Sequence, residues 1–153
     1  MILRLVHPGS APRGPLDDAA REYRERAGRV TRVEELFVKP SRRPEPQAAL
    51  AEEAERILAA VKERDRLVAL DRTGTALSSE ALAKRLDAWQ QMGLGAVVFA
   101  LGSASGLAPA VLARAEERWS FGPLTLPHDL ARVVLWEQIY RGFSILRGEP
   151  YHK

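Results

Sequence analysis

Short apolar runs alternate along this chain with longer stretches whose apolar residues recur three or four positions apart. The two periods predict strands and helices respectively. Met1 to Val6 opens the chain as a strand-length run. From Pro15, the residues Leu16, Ala19, Tyr23 and Ala27 keep helical spacing as far as Gly28, which is suited to ending a helix. Val33 to Val38 reads as a second strand. Ala48 to Glu63 reads as a second helix, with Leu50, Ile57, Leu58 and Val61 on its buried face, and Leu67 to Leu70 as a third, short strand. Ser78 offers the oxygen that caps a helix start, and the helix behind it carries Leu82, Leu86 and Trp89 before Gly93 closes it. Ala96 to Leu101 has no polar side chain, as expected of a strand buried on both faces. Pro109 begins a further helix, expected to reach about Arg118, and Asp129 to Ile145 forms the last one. This alternation predicts an α/β fold with a parallel sheet flanked by helices. No repeat, low-complexity tract or linker divides residues 1–153, so a single domain is expected.

Composition narrows the chemistry. The absence of cysteine excludes disulfides, thiol nucleophiles and cysteine-ligated zinc, and His7, His128 and His152 show no metal-ligand spacing, so no metal is expected. A net charge of +3 draws the chain mildly toward a polyanion. Three positive charges fall in the proline-bounded segment Lys39 to Pro44, which reads first as a solvated linker and is compatible with an RNA contact. Ala88 to Ala113 is uncharged, but Gly102 to Gly106 and Pro109 interrupt it. A membrane span needs about 20 sustained apolar residues, so none is expected. The apolar segment after Met1 is short and lacks the basic leader of a signal peptide; a cytoplasmic location is expected.

Parallel α/β sheets bind ligands beyond the carboxyl ends of their strands, where backbone groups are free and helix N-termini converge. Three loops qualify, after Leu70, Leu101 and Phe121. Gly102-Ser-Ala-Ser-Gly106 contains glycines that permit close approach to a ligand and that would equally serve a plain tight turn. It is not a serine-hydrolase elbow, because Ala104 stands where the nucleophile would be. Nor is it a dinucleotide fingerprint, because Ser103-Ala104 breaks the glycine spacing. Phe121-Gly-Pro-Leu-Thr-Leu126 has the composition of a loop that offers amides and carbonyls to the edge of a purine while leucines cover the ring. Pro127-His128-Asp129 reads as a helix start, with Asp129 complementing the dipole.

Within the last helix, Glu137 lies four or five residues from Arg141 and Arg132, either of which can pair with it or take an RNA phosphate. Trp136, Ile139, Tyr140 and Phe143 read as core or subunit contact. The helix is apolar over so much of its circumference that a second copy is expected to cover Trp136, Tyr140 or Phe143. Composition alone predicts a frayed end for Gly148-Glu-Pro-Tyr-His-Lys153. Yet Tyr151 can stack on a base, His152 can move a proton and Lys153 can meet a phosphate.

Taken in order, Met1 to Val6, Leu67-Val-Ala-Leu-Asp71, Phe99 to Gly106, Leu124-Thr-Leu-Pro-His-Asp-Leu130, Glu137-Gln-Ile-Tyr-Arg141 and Arg147-Gly-Glu-Pro-Tyr-His-Lys153 resemble the RlmH group of SPOUT methyltransferases. Order and spacing agree over most of the chain; the middle of its first half is only generically similar. The resemblance implies a homodimeric enzyme that methylates N3 of a pseudouridine in 23S ribosomal RNA from S-adenosylmethionine, with the assembled ribosome as the expected partner and no metal. It also implies a C-terminal trefoil knot, which periodicity cannot show. By the same resemblance Leu70, Gly102, Phe121, Gly122, Pro123, Leu124, Thr125 and Leu126 hold the cofactor. His152, with Tyr151 beside it, is implied to accept the imide proton or orient the base, and Arg132 is the alternative group for stabilising the imide anion. The group commonly has two adjacent glycines where this chain has Gly102-Ser103. A positive φ at Ser103 would be strained, and on that expectation Ser103→Gly binds cofactor equally or modestly tighter. The same departure keeps open a non-catalytic RNA- or ribosome-binding protein that retains the knotted fold. A small-molecule enzyme using the glycine loop for phosphate is a third class.

Overall fold

The structure is a computed structural model that describes residues 1–10 and 12–153. Strands and helices alternate as β1 (Ile2–Pro8), α1 (Pro15–Gly28), β2 (Arg32–Val38), α2 (Pro46–Ala59), β3 (Arg66–Ala76), α3 (Ser79–Gln91), β4 (Ala96–Leu101), α4 (Pro109–Arg114), β5 (Glu117–Ser120) and α5 (His128–Leu146). Three helices begin on a proline, whose fixed φ suits a first turn and whose missing N–H costs nothing there. Ser78 caps α3 by accepting from the Ala81 amide at 3.1 Å.

All strands are parallel, in the order β2-β1-β4-β3-β5. Side chains alternate across the sheet, so each strand feeds two cores. Leu3, Leu5, Val68, Leu70, Phe99 and Leu101 pack under α1, α3 and α5, whereas Val6, Leu67, Ala69, Val98 and Ala100 pack under α2 and α4. Every residue of β4 is buried, as its uninterrupted apolar run requires.

Four expectations need correction. The helix begun at Pro109 stops at Arg114 rather than Arg118, and Glu117–Ser120 is a fifth strand. Glu116 pulls the chain onto β3: its amide donates to the Leu67 carbonyl at 3.0 Å and its carboxylate accepts from the Leu67 amide at 2.7 Å. Trp119 then stacks on Trp89, ring centroids 5.4 Å apart. Second, β3 runs past Leu70 to Ala76, with a register shift between Leu70 and Thr75; a side chain at Gly74 would overlap the Arg118 backbone there. Third, α2 ends at Ala59 rather than Glu63, because Asp65 folds back to accept from the Lys62 amide at 3.0 Å and turns the chain into β3. Fourth, Trp136 and Phe143 of α5, expected under a second copy, are covered inside one chain. Trp136, Ile139 and Phe143 are at most 2% exposed, because α5 lies across the sheet against both α1 and α3.

A buried ion cluster fixes that helix. The Arg132 side chain, 4% exposed, reaches Glu35 of β2 at 2.9 Å and Asp17 of α1 at 2.7 Å, and Trp136 Nε1 donates to the other Glu35 oxygen. Beside it His7 meets Phe37 edge-on at 4.6 Å, buried, with neither ring nitrogen partnered among the described residues. Burial pushes the His7 imidazole below its ordinary 6.5, with the Glu35 carboxylate acting in the opposite direction. Between the two values the unfolded chain binds more protons, so this group removes stability as pH falls below 6.5. His7→Leu should therefore make the loss of melting temperature between about pH 7 and pH 5 shallower than in the wild type. Equal acid slopes would show that His7 does not titrate this way.

Candidate active site

Leu70 and Leu101 are the last register partners of β3 and β4, and the chain leaving β5 crosses the same edge before α5. Two adjoining cavities form there. One of about 450 Å³ is bounded by Leu70 to Thr73 on one side and Phe121 to Leu126 on the other. The second, about 770 Å³, shares Leu70 to Thr73, Leu101, Thr125 and Leu126 and extends along Gly102 to Leu107 toward His128. Both fall within the roughly 300–1,000 Å³ of small-molecule sites. Leu70, Phe121, Gly122, Pro123, Leu124, Thr125 and Leu126 all line the first cavity, and Gly102 lines the second. Leu124 is held 78% exposed at the rim, an apolar side chain with nothing yet to cover. The β3 irregularity supplies Asp71, Arg72 and Thr73 to both cavities; register shifts of this kind re-aim side chains beside sites.

The loop after β4 is a tight turn, in which the Gly106 amide donates to the Ser103 carbonyl at 2.8 Å. A side chain on Gly102 would collide with the Gly106 carbonyl, so this position needs glycine for close packing. Ser103 does not have a positive φ, and the expected strain is absent. Its hydroxyl instead donates to Glu53 of α2 at 3.2 Å. The first turn of α5 has no side-chain cap, Pro127 standing at that position, and Asp129 pairs with His128 at 3.2 Å.

The candidate catalytic residues fall in two other places. The tail is docked rather than frayed: the Glu149 amide donates back to the Ser144 carbonyl at 2.9 Å, which turns Tyr151 along α5. There its ring meets Tyr140 at 4.8 Å, and its hydroxyl donates to Glu137 at 3.0 Å and lies 3.4 Å from that of Tyr23. His152 Nε2 lies 2.8 Å from Glu80 of α3, and its Nδ1 lies 3.2 Å from Arg141. Burial, then the bonds to Tyr23 and Glu137, push the Tyr151 phenol well above its ordinary value, so it works as a neutral donor. Glu137 pairs with Arg141 and not with Arg132, whose guanidinium is taken by Glu35 and Asp17. None of Arg132, Tyr151 and His152 lines either cavity within one chain. Tyr151 and His152 dock against Glu137 to Arg141, roughly 14–20 Å along α5 from its His128 end at about 1.5 Å per residue. Glu53 and the Ser120 turn, whose hydroxyl accepts from the Gly122 amide at 3.1 Å, were not singled out by sequence. Glu53 depends on a contact 50 positions away that carries no local signature, whereas the Ser120 turn is a local bond that Ser120-Phe-Gly122 could have suggested.

Among the described residues no group of three or more His, Cys, Asp or Glu could hold a metal ion, and no helix is long and apolar enough to cross a membrane. The family model described as "Predicted SPOUT methyltransferase" matches residues 1–152. The chain belongs to the SPOUT methyltransferase family. As such it is 44% identical over 154 residues to Ribosomal RNA large subunit methyltransferase H of Anaeromyxobacter sp. (strain K), covering 100% of both chains. It is 40% identical over 159 residues to the protein of that name from Streptococcus thermophilus (strain ATCC BAA-491 / LMD-9), again covering 100% of both. A probable methylase family protein from Haemophilus influenzae Rd KW20 shares the fold, with a TM-score of 0.53 at 14% identity over 99% of this chain and 70% of that one. The SPOUT-type α/β reading of the sequence is borne out, and with it a methyltransferase that uses S-adenosylmethionine.

Proposed function

We propose that this SPOUT methyltransferase methylates N3 of a pseudouridine in 23S ribosomal RNA, acting in the cytoplasm as a homodimer on the assembled ribosome. The observation that carries the reading is the convergence of the loops after β4 and β5 and the irregular stretch Leu70 to Thr73 of β3 on one cavity pair at the carboxyl edge of the sheet, in a chain that matches ribosomal RNA large subunit methyltransferases H end to end. S-adenosylmethionine supplies an electrophilic methyl group. Leu70, Leu101, Leu124 and Leu126 give an apolar wall for its adenine, and the backbone from Phe121 to Leu126 gives amides and carbonyls for the ring edge. Transfer to nitrogen needs alignment at near-attack distance more than any other catalytic term.

The pseudouridine imide must also lose its N3 proton. His152 accepts it or orients the base, Tyr151 stacks or donates as a neutral phenol, and Arg132 acts through the placement of α5 rather than by touching the imide. A tail that lines neither cavity of its own chain serves the cavity of a second copy. Support for that pairing comes from Leu16 and Leu130, 38% and 37% exposed at the starts of the two helices joined by the Asp17–Arg132 pair. Sedimentation at micromolar concentration should show a dimer; a monomer alone would contradict the shared site.

Isothermal titration with S-adenosylmethionine tests the cavity. Wild-type protein should bind, and Gly102→Ala, which forces the loop off the Gly106 carbonyl, should weaken binding by about 10-fold or more with a small change in melting temperature. Unchanged affinity in Gly102→Ala would place the cofactor elsewhere.

A further inference from the structure

We propose that Glu53 of α2 is a positioning residue for the methyl-donor pocket: through the Ser103 hydroxyl it holds the Gly102–Gly106 loop in its binding shape. The proposal rests on the reading of the cavity pair as the S-adenosylmethionine site. Glu53 is only 7% exposed and sits in α2 beside Ala54 and Ile57, which pack into the core shared with Val98 and Leu107. A carboxylate placed there is costly unless something satisfies it. Its neighbour Glu52 is paired with Arg43 and Arg56, whereas no cation pairs with Glu53 among the described residues. Its side-chain partner is Ser103, 3.2 Å away across the loop.

Ser103 is well placed to transmit that hold. Its hydroxyl is tied to α2 while its carbonyl accepts from the Gly106 amide at 2.8 Å, so one residue joins the helix to the turn. Among the described residues this is the loop's one side-chain hydrogen bond, since Gly102, Ala104 and Gly106 have no polar side chain and Ser105 makes none. The loop lines the 770 Å³ cavity from Gly102 to Leu107. A loop that offers backbone to a ligand binds more tightly when its shape is set beforehand, because ordering need not occur on binding. A hydrogen bond to a carboxylate is also stronger than one between neutral groups, so a single tether suffices to bias the loop.

The test is a five-variant series with S-adenosylmethionine titrated calorimetrically and with steady-state methylation of ribosomes. Glu53→Ala and Ser103→Ala should each raise the dissociation constant about 10-fold, raise KM for the donor in step and leave kcat nearly unchanged. Glu53→Gln, which keeps an acceptor oxygen, should stay within about threefold of wild type. The double variant Glu53→Ala/Ser103→Ala should bind no worse than either single one, because both remove the same bond. Ser103→Gly should weaken binding rather than tighten it. Should Glu53→Ala fail to fold, Ser103→Ala and Ser103→Gly, which remove the tether from the loop side, carry the same comparison. Wild-type protein that does not bind the donor would overturn the cavity reading itself. Wild-type protein that binds, together with Ser103→Ala unchanged or with effects that multiply in the double variant, would overturn the tether alone.

Discussion

Removal of Glu149 to Lys153 is expected to abolish methyl transfer to ribosomes while S-adenosylmethionine still binds. The truncation takes away Tyr151 and His152 but touches neither cavity, so donor affinity should stay within about twofold of wild type. It also removes the contact of Tyr151 with Tyr140 and its bond to Glu137, so a modest loss of stability accompanies the loss of activity. His152→Ala isolates the proton-handling part: turnover should fall by roughly 100-fold when a general base is lost, and much less when the ring only orients the substrate. Single-turnover methylation, donor affinity and melting temperature, measured on the same preparations, separate these contributions. Full methylation by the truncated protein would refute the tail's part in the reaction, and a collapse of melting temperature would show its contribution to be structural.

Glu35→Ala should be strongly destabilising. The substitution leaves Arg132, 4% exposed, without its principal carboxylate and leaves Trp136 Nε1 without an acceptor. Breaking a buried pair from one side costs about 3–5 kcal/mol, since the remaining charge stays in a poor solvent. For a chain of this length about 2–4 °C are lost per kcal/mol, so melting should drop by on the order of 10 °C. Glu35→Gln keeps the bond to Trp136 and should lose less. Melting is compared at one protein concentration, because dimerisation would otherwise shift it. A change in Glu35→Ala of less than about 2 °C would mean that Asp17 alone neutralises Arg132.

The sequence carries the sheet best where burial is two-sided. β4 is apolar from Ala96 to Leu101 because both faces are covered, and its position then orders β1 and β3 around it. The short β5 was hidden, since four residues that include Glu117 and Arg118 have no period to read and are held by a bond between Glu116 and Leu67, 49 positions away. The extension of β3 was hidden in the same way, because Asp71-Arg-Thr-Gly74 has turn composition and becomes strand only where Arg118 lies against Gly74.

At the site, the loops after β4 and β5 followed from topology, since parallel strands end on a common edge, whereas the stretch after Leu70 lines the cavities as irregular strand rather than loop. The side-chain partners did not. Arg132 has Glu137 at helical distance and yet pairs with Asp17 and Glu35, more than 90 positions earlier in the chain. Glu53 looks like any polar residue of an amphipathic helix until the loop is placed over it. The tail reads as disordered by composition and is docked because α5 ends beside α1 and α3. Long-range pairing of this kind leaves no trace in local spacing: resemblance pointed to Arg132 and the tail, Glu53 was missed, and geometry assigned the contacts of all three.

The central claim is tested most directly on ribosomes that lack the modification. Wild-type protein is incubated with these and isotopically labelled S-adenosylmethionine, and the large-subunit RNA is then digested to nucleosides and analysed by mass spectrometry. A single labelled methyl group per large subunit is expected, on N3 of a pseudouridine. Label on a ribose or on another base, or no transfer by protein that demonstrably binds the donor, would contradict it.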